Sequence, residues 1–175
     1  MKKDFVAPIL VLSLICLVIS GALAFTNSVT EPVIASAAAE REEAARHEMI
    51  PDATDFETIT ADGLPATIKE VYRSTNGVGY IFKMLTSGYG GDIIIMCAIN
   101  PEGKIIQSRA LEPLSETKGL GAKVAEVPFA NQFSGADSRL EGVSAISGAT
   151  ISSTAYINAI KDAFSAFEIV KGVAK

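Results

Sequence analysis

Hydrophobic residues follow three patterns along the chain: one long uninterrupted run, several short runs, and a final run with helical spacing. The long run covers residues 6–25, and no charged residue lies between Phe5 and Thr30. Twenty helical residues extend about 30 Å, the thickness of the hydrocarbon core of a bilayer. Pro8 falls in the first turn, where a missing N–H costs least. The pattern therefore predicts a membrane-spanning helix near the N-terminus.

Two lysines set the expected orientation of this span. Lys2 and Lys3 precede it, which favours a cytoplasmic N-terminus and a single pass through the inner (cytoplasmic) membrane. A cleaved signal peptide is the alternative, because Ala22-Leu23-Ala24 matches a small-residue cleavage pattern. The run is longer than an ordinary signal core, which favours a retained anchor. Both interpretations place the rest of the chain outside the cytoplasm.

The region after the span predicts a helix and then a domain. Residues 26–30 are polar, and Pro32 is expected to start a new element. Residues 31–49 are rich in Ala, Glu and Arg, which are strong helix formers, and Pro51 ends this pattern. We therefore expect an anchor over residues 1–30, a helical stalk over 31–50 and an extracytoplasmic domain over 51–175.

Short apolar runs in the domain predict a sheet. The four predicted strands cover residues 66–73, 78–85, 92–99 and 104–111. Asn76-Gly77 between the first two is a strong hairpin signal. Consecutive hairpins give a mostly antiparallel sheet, and an amphipathic C-terminal helix from about Tyr156 to Val170 must cover it. The predicted fold class is α+β.

Composition narrows the function. The net charge is -5 and basic residues do not cluster, which argues against a nucleic-acid partner. One histidine and two cysteines do not supply the usual zinc ligands, so no metal site is predicted. Cys16 lies in the apolar run and Cys97 in a predicted strand, which argues against a disulfide between them.

Two glycine-containing segments are candidates for chemistry. Ser147-Gly148-Ala149-Thr150 places a hydroxyl beside the start of the last helix, where free N–H groups and the helix dipole favour a phosphate. The same string is also ordinary turn and capping chemistry. Upstream, Gly119 and Gly121 bracket Leu120 in a segment, residues 112–124, that either forms a tight loop or lies against a flat ring.

Together these segments resemble a known family. Glu116-Thr117-x-Gly119-Leu120-Gly121, then Ser147-Gly148-Ala149-Thr150, then an amphipathic helix, resemble the FMN-binding domain shared by the G subunit of Rnf complexes and the C subunit of Nqr complexes. The anchor with its stalk and the glycine-rich loop at residues 88–91 are similar too. The resemblance covers essentially the whole chain, and its length suits the Rnf G subunit.

The resemblance implies a covalent flavin. FMN would be joined through its phosphate to the Thr150 hydroxyl, with Ser147, Gly148 and Ala149 forming the turn that exposes it. The residues implied to line the isoalloxazine ring are Glu116, Thr117, Gly119, Leu120 and Gly121, and residues 88–91 would close the pocket. The chain departs from the family at Ser144, where an aspartate belongs to the attachment signal or to a metal site used during attachment.

The implied function is electron relay, with no catalytic residues of its own. By resemblance the chain is part of a membrane complex that moves electrons between ferredoxin and NAD and couples this to sodium or proton transport. Implied partners are integral membrane subunits, a second flavin subunit, iron–sulfur subunits and, during maturation, a flavin transferase. Alternatives are an anchored subunit with loosely bound or no flavin, an Nqr-type reductase flavoprotein, and a cleaved, secreted electron donor.

Overall fold

The structure is a computed structural model, and it describes residues 2–111 and 114–173. Glu112 and Pro113, at the start of the predicted glycine-containing loop, lie outside the described residues. The chain divides into two compact units, the first ending at Ala44 and the second beginning at Ala45. The second unit therefore begins earlier than the predicted domain start at residue 51.

Helix α1, Lys2–Met49, contains the predicted span. Its portion Pro8–Met49 is the one described helix that is long and apolar enough to cross a membrane, judged by length and composition. The most apolar window of 18 residues has a mean hydropathy of 2.6, and none of it is buried. An apolar helix surface with no protein against it is typical of a helix that contacts lipid.

Helix α1 continues through the position where a new element was expected, so the predicted break at Pro32 is wrong. The polar residues before it do not interrupt the helix. The hydroxyls of Thr26, Ser28 and Thr30 donate to carbonyl oxygens three or four residues earlier, at distances of 2.8 to 3.0 Å. These side chains satisfy their hydrogen bonds within the helix, which is how apolar helices accommodate them.

Five antiparallel strands follow, in the spatial order β1-β2-β3-β4-β5. They are β1 Phe56–Ile59, β2 Ile68–Ser74, β3 Tyr80–Ser87, β4 Asp92–Ile99 and β5 Ile105–Ala110. Strands β2 to β5 correspond to the four predicted strands, and the α+β class is confirmed. Strand β1 was missed because it has four residues, none fully buried, at the edge of the sheet.

Both faces of the sheet are covered within the second unit. Helix α3, Thr150–Val173, packs its apolar side against one face. Its buried residues at helical spacing include Tyr156, Ile160, Ala163, Phe164, Phe167 and Val170. The end of α1 covers the other face, where Met49 and Ile50 pack with Ile81 and Met96. Coverage on both sides explains why the sequence of β4 is continuously apolar.

The segment between β5 and α3 is made of short helical pieces. They are a 3₁₀ turn Gly121–Ala125, helix α2 Val127–Ala130 and a second 3₁₀ turn Asn131–Phe133. Phe129 and Phe133 pack on the ring of Tyr156 in α3, with ring centroids 5.2 Å from it. This aromatic cluster fixes the segment on the core and so places residues 114–126 beside the start of α3.

Candidate functional site

A cleft of about 440 Å³ opens at the start of helix α3. Three segments that are distant in sequence form its walls: the loop between β3 and β4, the loop after β5, and the turn that leads into α3. The lining residues are Tyr89, Glu116, Thr117, Leu120, Gly121, Gly148, Ala149, Thr150, Ile151 and Ser152. The two sequence motifs therefore meet at one place.

The turn before α3 is held by short-range hydrogen bonds. The Ala149 N–H donates to the carbonyl of Ile146 at 3.0 Å, and Gly148 has a φ of 80°, which a residue with a side chain rarely adopts. The buried hydroxyl of Ser153 accepts from the Ile146 N–H at 3.1 Å and donates to the Ala149 carbonyl at 2.7 Å. These bonds fix the backbone that presents Thr150.

Thr150 is the first residue of α3, and its side chain is exposed at the cleft. Within the described part of the chain its hydroxyl makes no hydrogen bond, whereas the hydroxyls of Ser152 and Ser153 are buried and engaged. Thr117 is the other exposed threonine of the cleft, but it belongs to the loop after β5 and not to the helix. Thr150 is thus the accessible hydroxyl beside the positive end of the α3 dipole.

Glu116 is the buried charged group of the cleft. The residue is 7% exposed, and its Oε1 accepts a hydrogen bond from the Gly90 N–H at 3.2 Å. Its Oε2 is buried and has no hydrogen-bond partner among the residues that the structure describes. A buried carboxylate oxygen without a donor is unusual, and a ligand or water in the cleft can supply one.

Two glycines make room for this carboxylate. A Cβ placed on Gly88 would overlap Oε1 of Glu116, and a Cβ placed on Gly121 would overlap Oε2. Gly90 is close as well, because its Cβ would meet the backbone oxygen of Ser115. Close approach therefore accounts for Gly88, Gly90 and Gly121.

The structure places seven of the nine predicted cofactor-contact residues in the cleft lining. Gly119 and Ser147 do not line it, although both lie next to residues that do. Gly119 has a φ of 78°, so its role is to turn the loop. Leu120 is 49% exposed, and one of its methyl groups lies 3.6 Å from the position of a Cβ on Gly148, which joins the two motifs directly.

Tyr89, Ile151 and Ser152 line the cleft but were not singled out as contact residues from the sequence. Tyr89 lies within the glycine-rich loop that was predicted to close the pocket, so the loop carried a signal for it. Ser152 lies two positions after Thr150, where a buried hydroxyl cannot be distinguished from an exposed one by sequence alone. Its Oγ accepts from the Tyr89 N–H at 3.2 Å.

Ser144, where the family resemblance implied an aspartate, bonds to the side chain of Gln132. The N–H and Oγ of Ser144 donate to the Oε1 of Gln132, at 3.0 and 3.3 Å. Arg139 forms ion pairs with Asp137 and Glu141, and its hydrogen bonds lower the pKa of Asp137. Among the described residues, no group of three or more His, Cys, Asp or Glu side chains is arranged to hold a metal ion.

A larger groove of about 700 Å³ lies near the other end of α3. It is lined mainly by charged residues of both signs, including Glu102, Lys161, Glu168 and Lys171. It contains none of the motif residues, and the buried oxygen of Glu116 is not in it. We therefore assign the candidate site to the smaller, more apolar cleft.

Comparison with known proteins gives the class of the domain. A protein-family model described as the FMN-binding domain matches residues 88–165, a range that holds every residue of the cleft lining. The match identifies the part of the chain that holds the cleft as an FMN-binding domain.

Curated relatives extend the match to nearly the whole chain. The G subunit of the ion-translocating oxidoreductase complex of Methanosarcina acetivorans is 34% identical, over 93% of this chain and 94% of its own length. The G subunit of the Na⁺-translocating ferredoxin:NAD⁺ oxidoreductase complex of Acetobacterium woodii is 32% identical, over 86% of each chain. That of the proton-translocating complex of Clostridium ljungdahlii is 27% identical, over 87% and 85%. The chain belongs to the G-subunit family of ion-translocating, Rnf-type oxidoreductase complexes.

Proposed function

We propose that the chain is the FMN-carrying electron-transfer subunit of a membrane-bound, ion-translocating ferredoxin:NAD oxidoreductase, with FMN attached through its phosphate to Thr150. The observation that carries the proposal is the meeting of the two motifs in one cleft, with an exposed threonine at the start of α3. The relatives named as subunits of such complexes support the same conclusion.

The residues present fit this cofactor. A volume of about 440 Å³ lies within the range of small-molecule sites. FMN offers hydroxyl and ring N–H donors, and the buried Oε2 of Glu116 needs one. Exposed apolar side chains at Leu120 and Ile151 suit a flat ring, and the phosphate matches the helix N-terminus beside Thr150.

Bound FMN would supply electron transfer singly or in pairs, while the protein sets its position and environment. Thr150 holds the phosphate end at a fixed point of the fold. Attachment through the hydroxyl keeps the cofactor from diffusing away on the outer side of a membrane. Glu116, buried between two glycine-containing loops, orients the cofactor through its acceptor oxygen.

Helix α1 would anchor the protein in the cytoplasmic membrane with Lys2 and Lys3 inside and the second unit outside. Partners would be the integral membrane, second flavin and iron–sulfur subunits of the complex, and a flavin transferase during maturation. No charge lies between Phe5 and Thr30, so the ion path belongs to other subunits. The relatives are named for both sodium and proton transport, which fits a protein that does not select the ion.

A second candidate is an anchored subunit that binds flavin without a covalent bond, or that acts as a scaffold. The observation in its favour is Ser144, which bonds to Gln132 and provides no carboxylate for the attachment signal. The two candidates differ in one measurable property, which is the mass of the protein.

The test is the intact mass of the protein from its own host, with in-gel flavin fluorescence after denaturation. We expect an increment of one FMN less one water in the wild type and in Thr154→Val, and its loss in Thr150→Val. Thr154→Val is the matched control because Thr154 is exposed in the same helix but does not line the cleft. The unmodified mass in the wild type would contradict covalent attachment, and the same spectrum reports whether residues 1–24 are retained.

A further inference from the structure

Ser152 lies where all three walls of the cleft meet. It belongs to α3, its Oγ accepts from the Tyr89 N–H at 3.2 Å, and a Cβ on Gly121 would lie 3.2 Å from the same Oγ. The residue is 1% exposed, so water does not compete for this hydrogen bond. One hydroxyl therefore joins the helix that begins at Thr150 to the loop that carries Tyr89.

The 88–91 loop is fastened at a second point by Glu116. The Gly90 N–H donates to Oε1 of Glu116, and the Gly88 N–H donates to the Gly91 carbonyl at 2.8 Å, which closes the loop on itself. Three consecutive backbone positions are thus fixed, although three of the four loop residues are glycine. The order of this loop comes from its hydrogen bonds, because its composition favours flexibility.

The side chain of Tyr89 is exposed, although its backbone N–H is hydrogen-bonded. It is 75% exposed and lines the cleft, and no hydrogen bond or ring contact of it occurs within residues 2–111 and 114–173. An aromatic ring held at its base and uncovered on its faces can stack on a flat ligand. Leu120 and Ile151, also exposed, provide apolar surface elsewhere in the same lining.

We propose that Ser152 is a positioning residue: its hydroxyl fixes the 88–91 loop so that Tyr89 forms an aromatic wall of the cleft against the isoalloxazine ring. This inference rests on the proposed function, because it needs a flavin in the cleft. Ser152 acts through its hydrogen bond from the Tyr89 N–H, so its loss changes the exposure of the ring.

The experiment compares Ser152→Ala with Ser165→Ala in the full-length, detergent-solubilised protein. Ser165 is the matched control because it is exposed in the same helix and only donates to the Lys161 carbonyl. We expect the amide of Tyr89 to exchange about fivefold faster in Ser152→Ala, the factor for the loss of roughly 1 kcal/mol of hydrogen bonding. Iodide should quench the fluorescence of each bound flavin more strongly in Ser152→Ala, and Ser165→Ala should behave as wild type.

Tyr89→Leu removes the aromatic ring but keeps the hydrogen bond from the backbone of residue 89 to Ser152. Tyrosine beside a flavin quenches its fluorescence, so this variant should brighten the flavin and increase iodide access without changing the exchange of the Gly90 amide. Equal iodide quenching in wild type, Ser152→Ala and Tyr89→Leu would overturn the inference. A wild type without flavin would overturn the proposed function and the wall together, whereas the Tyr89 exchange rate would still decide whether Ser152 fixes the loop.

Discussion

At the scale of single residues, Gly90 and Gly121 both belong to loops that form the cleft, but a side chain would contact different atoms at the two positions. A Cβ on Gly90 would meet backbone atoms of Ser115 and Glu116, which cannot move without moving the chain. A Cβ on Gly121 would meet the end of the Glu116 side chain and the Ser152 hydroxyl, and the first of these can move. A side chain at Gly90 should therefore lower the stability of the domain, whereas a side chain at Gly121 should change the shape of the site.

Gly90→Ala should lower the free energy of unfolding by about 1–3 kcal/mol, as overpacking against fixed atoms does. Gly121→Ala should cost less than about 1 kcal/mol but displace the Glu116 carboxylate and shift the absorption of the flavin. Thermal unfolding and the flavin spectrum measure the two effects.

Gly172→Ala provides the control for both substitutions. Gly172 lies in α3 with open space around a Cβ, so alanine there should leave the flavin unchanged and raise stability by up to about 1 kcal/mol. Equal loss of stability in Gly90→Ala and Gly121→Ala would contradict this account of the two glycines.

At the scale of elements, polar and charged contacts join the sheet to the end of α1, in addition to apolar packing. Glu70 in β2 accepts hydrogen bonds from Tyr72 and from Lys83, the latter at 3.0 Å, and Arg46 in α1 lies 4.4 Å from the centre of the Tyr72 ring. The hydrogen bond from Tyr72 and the positive charges of Lys83 and Arg46 lower the pKa of Glu70 below its ordinary value of 4.5.

Glu70→Gln should change how stability depends on acid. A carboxylate whose pKa is lower in the folded state contributes stability above pH 4.5 and loses it as the pH falls through the folded pKa. The wild type should therefore lose more stability than Glu70→Gln on going from pH 6 to below pH 4, by no more than about 1 kcal/mol because the pair is partly exposed. Denaturant unfolding across this pH range measures it.

The control for this pH effect is Asp137→Asn, which removes an exposed pair with Arg139 that lies outside the contact between α1 and the sheet. Its effect should vanish in high salt, whereas part of the Glu70 effect should remain because the Lys83 side chain is largely buried. If the stability of wild type and of Glu70→Gln fell equally below pH 6, the stabilising role of the Glu70 carboxylate would be contradicted.

At the scale of the whole molecule, the domain boundary does not coincide with the end of a helix. The second compact unit begins at Ala45. Ala45, Met49 and Ile50 are buried against the sheet face opposite α3. A fragment of residues 45–175 should therefore fold, and a fragment of 51–175 should be less stable by about 3–6 kcal/mol, the upper estimate for burying two large apolar side chains.

A fragment of 41–175 should match 45–175 in melting temperature, because the added residues belong to the first unit. Circular dichroism with thermal unfolding compares the three fragments directly. Equal stability of 51–175 and 45–175 would show that the last turn of α1 does not belong to the core.

Much of the fold was predictable because its signals are local. The hairpin at Asn76-Gly77 has the expected glycine with a φ of 74°, and the apolar spacing of α3 identified its buried side. The burial of Cys97, which raises the pKa of its thiol, followed from the continuous apolar run of β4. These features depend on residues a few positions apart.

The unpredicted features depend on contacts between distant residues. The pocket role of Ser152 exists because α3 meets a loop 63 positions earlier, and no spacing rule reports that. The missed strand β1 and the early domain start at Ala45 likewise reflect packing between elements. The motifs identified which residues gather in the cleft, but only the fold explains why Glu116 requires glycines at two separate positions.

The turn before α3 has a consequence for the order of maturation. The hydrogen bonds described above for this turn join residues no more than seven positions apart, whereas the bonds that build the cleft walls span 26 and 63 positions. Short-range structure forms early and long-range closure late. If FMN is attached at Thr150 as proposed, a flavin transferase would therefore meet this residue on a chain that has not finished folding, and the ring would be enclosed afterwards. Flavinylation of a peptide of residues 144–155 in vitro would show this, and a requirement for the folded domain would refute it.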